Sequence, residues 1–202
     1  MSLRYAALGD SYTIGTATRS AAERWPDQLV VRLAEDGPVL DLVANLGVNG
    51  YTSRDVIEAE LPAMDALRPE FATLLVGVND VVQGVPEATY AQNAAQILDE
   101  LLARLAADRI LTVATPDYTV TPQGASYGDP KLQAAAIRRN NEILQDLSAA
   151  RRIAFVDIHD LSLRAVANRS LVAEDGLHPS GAQYALWVNR IAPVVKGLLH
   201  LP

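Results

Sequence analysis

The sequence predicts an α/β protein, a three-layer α/β/α sandwich in which helices cover both faces of a parallel sheet. Short apolar runs alternate along the chain with longer segments of helical character, the pattern of strands joined by crossover helices. The apolar runs are continuous, as in parallel strands that are buried on both faces. Right-handed crossovers then place helices on the two sides of the sheet. The candidate strands are residues 3–8, 39–44, 71–76, 110–114 and 153–157.

Helix signals lie between these strands. Pro26 suits the first turn of a helix, and Gly37 follows the apolar positions of that segment as a stop signal. Thr52 or Ser53 can cap the next helix, and Ser180 can cap the last one. The helix that Thr52 or Ser53 caps is predicted to run to about Leu67, and two further helices are predicted over residues 91–107 and 131–150.

The composition predicts one domain and narrows the class of protein. The chain has 202 residues, half of them hydrophobic, so residues 1–202 can build a single large core. The formal net charge is −7, and no run of Lys or Arg exceeds two residues, which argues against binding to nucleic acid. Cysteine is absent, which excludes disulfides, thiolate metal sites and a cysteine nucleophile.

The sequence gives no sign of a membrane or export segment. The longest apolar candidate, residues 182–201, is interrupted by Asn189, Arg190, Pro193 and Lys196 and is too polar to span a membrane. The chain starts directly in strand-like sequence, without the pattern of a signal peptide. We therefore expect a cytoplasmic protein, although a signal removed from the natural chain would leave the same sequence. The oligomeric state stays open.

The turn after the first strand carries Gly9-Asp10-Ser11. A serine hydroxyl becomes a nucleophile at neutral pH when a base lies beside it. The alternative interpretation is an ordinary turn followed by a helix cap, because Asp and Ser both favour such positions. Ser11 is therefore a candidate nucleophile, and the support for this assignment depends on motifs elsewhere in the chain.

Possible oxyanion donors follow the second and third strands. Gly50 ends a loop rich in Gly and Asn, and a glycine lets backbone N–H groups approach a substrate closely. Asn79, in Gly77-Val78-Asn79-Asp80, offers a neutral side-chain donor to a developing oxyanion. The alternatives are a loop that leads to a helix and an Asn-Asp helix cap, and the cap is the interpretation that we favour for Asp80.

A candidate base precedes the last helix in the motif Asp175-x-x-His178. A short turn can bring this carboxylate to the imidazole, where it holds the tautomer and supports positive charge. Pro179 favours extended backbone at His178. A loop aspartate with a surface histidine is the alternative. His178 is a better base than His159, which follows the fifth strand, or His200, at the chain end, because a carboxylate is within short reach.

These motifs lie where a parallel sheet binds ligands, at or beyond the carboxyl ends of its strands. Together they resemble the sequence blocks of the GDSL/SGNH hydrolase family over nearly the whole chain. The matching residues are Gly9-Asp10-Ser11, Gly50, Gly77-x-Asn79-Asp80 and Asp175-x-x-His178. Two positions depart from the family pattern. Tyr12 replaces a leucine without touching the chemistry, and Asn49 stands where a serine often precedes the glycine, which bears on the local turn.

The resemblance implies a flavodoxin-like sandwich of five parallel strands and an esterase or acylhydrolase activity. Carried over by position, it makes Ser11 the nucleophile and His178 the base, which Asp175 orients. The implied oxyanion hole consists of the N–H groups of Ser11 and Gly50 and the side chain of Asn79.

The sequence thus predicts a metal-independent serine esterase that forms an acyl-enzyme on small or acyl-chain esters. No cofactor is expected, because Gly47-x-x-Gly50 lacks the lysine and spacing of a phosphate-binding loop, and the dispersed histidines suggest no metal site.

The same catalytic residues would serve a thioesterase or a carbohydrate O-deacetylase. A non-catalytic module for a small ligand would use the motifs as turns and caps. The loops expected to shape the pocket are residues 12–24, 81–89 and 115–130.

Overall fold

The computed structural model of the protein describes residues 2–199, so that Met1 and residues 200–202, including His200, lie outside the described part. All the strands pair in parallel, in the order β2-β1-β3-β4-β5. They are β1 (Leu3–Gly9), β2 (Leu40–Asn45), β3 (Phe71–Leu75), β4 (Ile110–Val113) and β5 (Ala154–Val156). The predicted five-stranded parallel sheet is confirmed, with each strand end within one residue of its expected position.

Helices occupy most of the chain between the strands. They are α1 (Ser11–Ile14), α2 (Trp25–Ala34), α3 (Ser53–Asp55), α4 (Leu61–Leu67), α5 (Val78–Val82), α6 (Glu87–Leu102), α7 (Pro130–Ala150), α8 (His159–Leu163) and α9 (Gly181–Leu198). None of the helices within residues 2–199 combines the length and the hydrophobicity that a membrane span requires.

The sheet is covered on both faces, which confirms the predicted sandwich. Successive residues of a strand point to opposite faces, and β1 shows this directly. Tyr5 and Ala7 pack into a core cluster with α2 and α9, whereas Ala6 and Leu8 pack into a second cluster with α4, α6 and α7. The first cluster includes Trp25, Leu29, Trp187 and Ile191. The second includes Met64, Ile97, Leu98 and Leu144.

The helix predicted over residues 53–67 is interrupted in its middle. Thr52 caps its first turn through a capping box with Asp55, and the backbone then widens into a π-helical turn, Val56–Glu60, before α4. Pro62 lies in the first turn of α4, and a proline has no N–H to donate to the residue four positions earlier. A π-helical turn accommodates such a break in the ladder of hydrogen bonds.

The helix predicted over residues 91–107 was placed too late in the chain. The observed α6 begins at Glu87, directly after its N-cap Pro86, and ends at Leu102. The apolar pattern continues beyond this end because Leu105 still packs against the core cluster, although it does so from the turn that leads to β4. An apolar stripe therefore reports burial and does not mark the end of the helix.

Leu29→Ala should lower the free energy of unfolding by about 2–5 kcal/mol, because the Leu29 side chain is fully buried in the core beside α9. Val31→Ala on the same helix is the control. The Val31 residue is 67% exposed, so its truncation should change the free energy by no more than about 0.5 kcal/mol. Urea unfolding followed by circular dichroism measures both variants. Equal losses would contradict the orientation of α2.

Candidate active site

The turn after β1 places Ser11 at the edge of the sheet, as the first residue of α1. Gly9 has a φ of +147°, and a Cβ built there would lie 2.1 Å from the carbonyl oxygen of Leu75, so that only glycine fits. Asp10 is the N-cap of α1, and its Oδ1 accepts a hydrogen bond from Tyr12 N at 2.9 Å. The capping role thus belongs to Asp10, which leaves the Ser11 hydroxyl available.

Two elements at the neighbouring strand ends supply N–H donors. Gly50 follows β2 in a turn with a φ of +83°, and Asn79 lies in α5 after β3. The Asn79 Nδ2 donates to Tyr51 O at 2.9 Å, which orients the amide and leaves its second N–H free. Among residues 2–199, the backbone N–H groups of Ser11 and Gly50 donate to no backbone acceptor. Three donors are therefore available to an oxygen atom of a ligand.

Asp80 has a structural role, but it does not cap its own helix as predicted. The N-cap of α5 is Gly77. The buried carboxylate of Asp80 accepts hydrogen bonds from the N–H and the hydroxyl of Ser53, the first residue of α3. Burial raises the pKa of Asp80, and the hydrogen bonds from Ser53 oppose that rise. Asp80 therefore caps the first turn of a neighbouring helix and ties the segments after β2 and β3 together.

His178 and Asp175 form a hydrogen-bonded pair in the loop before α9. The His178 Nδ1 lies 2.6 Å from Asp175 Oδ2, and Asp175 Oδ1 accepts the backbone N–H groups of Leu177 and His178 at 2.9 and 3.0 Å. Partial burial raises the pKa of Asp175, but these hydrogen bonds outweigh it and hold the pKa below its usual value. An ionised Asp175 assigns the proton of a neutral imidazole to Nδ1, which leaves Nε2 as an acceptor.

One cavity of about 230 Å³ joins the predicted site residues. Ser11, Gly50, Asn79 and His178 all line it, although they come from four separate segments of the chain. The Ser11 hydroxyl and His178 make no hydrogen bond to each other within the described residues. Catalytic hydrogen bonds are often long in the absence of a substrate, so both groups remain available at the same surface. The remaining lining residues are Tyr12, Asn49, Val78, Val82, Tyr118, Tyr127 and Leu177.

Most of the apolar lining comes from the loops that the sequence indicated, with two additions. Val78 and Leu177 occupy the variable positions inside the motifs Gly77-x-Asn79 and Asp175-x-x-His178, where no pattern marked them. Within the loop of residues 81–89, Val82 lines the cavity, whereas Val81 and Val85 line a different depression. A residue that follows a motif by one position can face away from the site, so the loop sequence alone gives no orientation.

His159 lies apart from this cavity. It is the first residue of α8, and its Nε2 is 3.7 Å from Asp117 Oδ2, beyond the length of a normal hydrogen bond. Within residues 2–199, no group of three His, Asp or Glu side chains is arranged to hold a metal ion. Of the two histidines described, His178 is the one that faces the cavity.

Comparison with protein families places the chain among the lipases and acylhydrolases. A sequence model of the GDSL-like Lipase/Acylhydrolase family matches residues 7–186. The chain belongs to this family, as the sequence blocks predicted. No curated relative matches the sequence.

Several solved structures share the fold over almost their whole length. A lipase/acylhydrolase from Enterococcus faecalis aligns with a TM-score of 0.76 at 20% identity, covering 98% of this chain and 96% of that one. An acetyl xylan esterase from Geobacillus stearothermophilus aligns with a TM-score of 0.71 at 17% identity, covering 99% and 97%. TesA aligns with a TM-score of 0.72 at 21% identity, covering 97% and 99%. At these identities the likeness is one of fold.

Asn79→Ala should lower kcat for ester hydrolysis by roughly 10²–10³ with a smaller change in KM, because an oxyanion donor acts mainly in the transition state. Asn49→Ala is the matched control, since Asn49 lines the same cavity and is not one of the three predicted donors. Steady-state kinetics on a nitrophenyl ester measures both. An unchanged kcat in Asn79→Ala would leave Asn79 only the structural hydrogen bond to Tyr51.

Proposed function

We propose that this protein is a serine carboxylic ester hydrolase that works through an acyl-enzyme. Ser11 is the nucleophile, His178 the general base and Asp175 the residue that orients the base. One observation carries the proposal: Ser11 and His178 line the same cavity, and the His178 Nδ1 is held by the Asp175 carboxylate at 2.6 Å. We further propose that residues 1–202 form a single hydrolase domain, because the groups of the site come from separate segments of the chain and meet at one edge of one sheet.

The first half of the reaction forms the acyl-enzyme. His178 Nε2 accepts the hydroxyl proton of Ser11 as Oγ bonds to the carbonyl carbon of the ester, and the electron pair of the C=O bond moves to oxygen. The negative charge of Asp175 stabilises the imidazolium that forms. Collapse of the tetrahedral intermediate breaks the bond to the alcohol, whose oxygen takes the proton from Nε2.

The oxyanion is stabilised by the donors at the strand ends. The proposed donors are the backbone N–H groups of Ser11 and Gly50 and one N–H of the Asn79 side-chain amide. The other N–H of that amide donates to Tyr51 O. Donors that are oriented before the reaction need no reorganisation when charge develops. In the second half-reaction, His178 takes a proton from the water that attacks the acyl-enzyme. It then returns this proton to Ser11 Oγ as the bond from Oγ to the acyl carbon breaks and the acid is released.

The cavity supports an ester with an apolar group of modest size. Its wall combines valine, leucine and tyrosine side chains with the polar groups of the site, in a volume of about 230 Å³. Apolar pockets with a few oriented polar groups are typical of small-molecule sites. Hydrolysis of nitrophenyl esters from acetyl to palmitoyl tests the chain length. Acyl thioesters and acetylated sugars in the same assay separate the thioesterase and O-deacetylase alternatives.

Ser11→Ala should lower kcat by about 10⁴ or more, because the nucleophile and base act as one unit. Ser20→Ala is the control, since Ser20 is exposed and its side chain makes no capping hydrogen bond. Circular dichroism and urea unfolding check that both variants are folded. A folded Ser11→Ala variant that keeps most of its activity would refute the serine mechanism. If the unmodified protein binds small ligands but hydrolyses no ester, it is a non-catalytic module.

Asp175→Asn should lower kcat by about 10³–10⁴, because the variant loses the charge that supports the imidazolium and favours the wrong tautomer of His178. The neighbouring Glu174 is exposed, so Glu174→Gln removes a carboxylate from the same loop and should leave kcat within about twofold, as for a surface substitution. Kinetics at pH 7 to 8 compares the two. Similar activities would show that the carboxylate at position 175 does not assist the base.

A further inference from the structure

A buried carboxyl group that the proposed mechanism does not use lies behind the turn that carries Ser11. Glu60 ends the π-helical turn between α3 and α4 and is only 2% exposed. Its Oε2 accepts the backbone N–H of Gly9 at 2.8 Å. Its Oε1 has no hydrogen-bond partner among residues 2–199. Glu60 therefore contacts the chain two residues before the proposed nucleophile.

The backbone of Gly9 needs this acceptor. The pairing of β1 with β2 ends at Ala7 opposite Asn45, and Gly9 lies beyond it. The Gly9 carbonyl oxygen accepts Val48 N at 3.4 Å, on the side of the chain that follows β2. A buried N–H without a partner costs free energy comparable to a lost hydrogen bond. The Glu60 carboxyl satisfies the Gly9 N–H where the sheet no longer does.

Asp10 is a second buried carboxyl group at the same turn. It is fully buried, and its Oδ1 accepts the N–H of Tyr12 at 2.9 Å, while its Oδ2 has no partner within the described residues. The turn is thus held at Gly9 by Glu60 and at Tyr12 by Asp10, one contact on each side of Ser11. Each carboxyl group uses one oxygen for this contact and leaves the other unpaired.

We propose that Glu60 is a positioning residue for the nucleophile, whose protonated carboxyl group holds the turn between Gly9 and Ser11. The alignment of the Ser11 hydroxyl for attack, and of its N–H for the oxyanion, depends on this contact. The inference rests on the proposed function of Ser11. A protonated carboxyl group fits the site because its carbonyl oxygen accepts the Gly9 N–H and no negative charge is left in a buried place.

The surroundings of the two groups favour the protonated forms at neutral pH. Burial raises the pKa of Glu60 to about 9. The negative charges of Asp10 and Asp55 raise this pKa further, and the hydrogen bond from Gly9 opposes the rise. Burial likewise raises the pKa of Asp10 to about 8, with Asp80 acting in the same direction. The other titratable side chains that interact with Asp10 are Tyr12, Tyr90 and Tyr184. Loss of the Glu60 proton above pH 9 would place two buried carboxylates against one turn and loosen it.

The test compares Glu60→Gln with Glu60→Leu by measuring kcat and KM from pH 6 to 10 on a nitrophenyl ester. In the unmodified protein, kcat should decline above pH 9 as Glu60 loses its proton. Glutamine keeps an oxygen acceptor for Gly9 without a titratable group, so kcat of Glu60→Gln at pH 7 should stay within about threefold of the unmodified value, and the decline above pH 9 should be absent. Leucine has no acceptor, so kcat should fall by about 10–100-fold with KM within about twofold, since misplacement of a reacting group costs this much. Glu58→Gln on the same turn is the control, because Glu58 is exposed and paired with Arg54.

The outcomes separate this inference from the function on which it rests. A Glu60→Gln variant with the same decline above pH 9 as the unmodified protein overturns the protonated carboxyl group. A Glu60→Gln variant as impaired as Glu60→Leu overturns the role of the acceptor, and so does a Glu60→Leu variant with unchanged kcat. If Glu60→Leu does not fold, the pH profile of Glu60→Gln alone decides. Hydrolysis that does not depend on Ser11 overturns the proposed function and this inference with it.

Discussion

The close approach of β1 to β3 at Gly9 is the constraint on which the site depends. The backbone of Gly9 lies against the carbonyl group of Leu75, with no room for a side chain, and the chain turns sharply into α1 directly afterwards. Ser11 is therefore presented at the carboxyl end of β1, an interior strand of the sheet. Because β2 and β3 flank β1, the segments that follow them bring Gly50 and Asn79 to the same edge.

His178, the proposed base, reaches this edge through tertiary packing, since it is far from Ser11 in the sequence. Tyr12, the residue after Ser11, packs its ring 5.7 Å from that of His178 and 6.4 Å from that of Trp187. Trp187 in turn lies edge-on to Tyr184 at 4.9 Å in α9. Tyr12, which departs from the family pattern, thus links the turn that carries Ser11 to His178 and to α9.

The sequence predicted the sheet well because continuous apolar runs are a local signal. Ser11, Gly50 and Asn79 could be proposed as site residues because they lie in segments that follow those runs, and the structure brings them to one cavity with His178. What the sequence missed depends on contacts between distant segments. The π-helical turn precedes Pro62, and Glu60 at its end is buried against the β1 turn, where it accepts the Gly9 N–H. The partner of Asp80 is a serine from another segment. From the sequence alone, a Glu or Asp side chain is expected at the surface, and its burial becomes visible only when the segments that pack over it are known.

The central claim is that Ser11 is activated for covalent attack, and a fluorophosphonate probe tests it most directly. Such a probe reacts with a serine that has a base beside it and leaves ordinary hydroxyl groups unmodified. Peptide mapping by mass spectrometry should place the adduct on the peptide that contains Ser11, with labelling suppressed in Asp175→Asn. An adduct on a different serine, or no adduct on a protein that hydrolyses esters, would contradict the account.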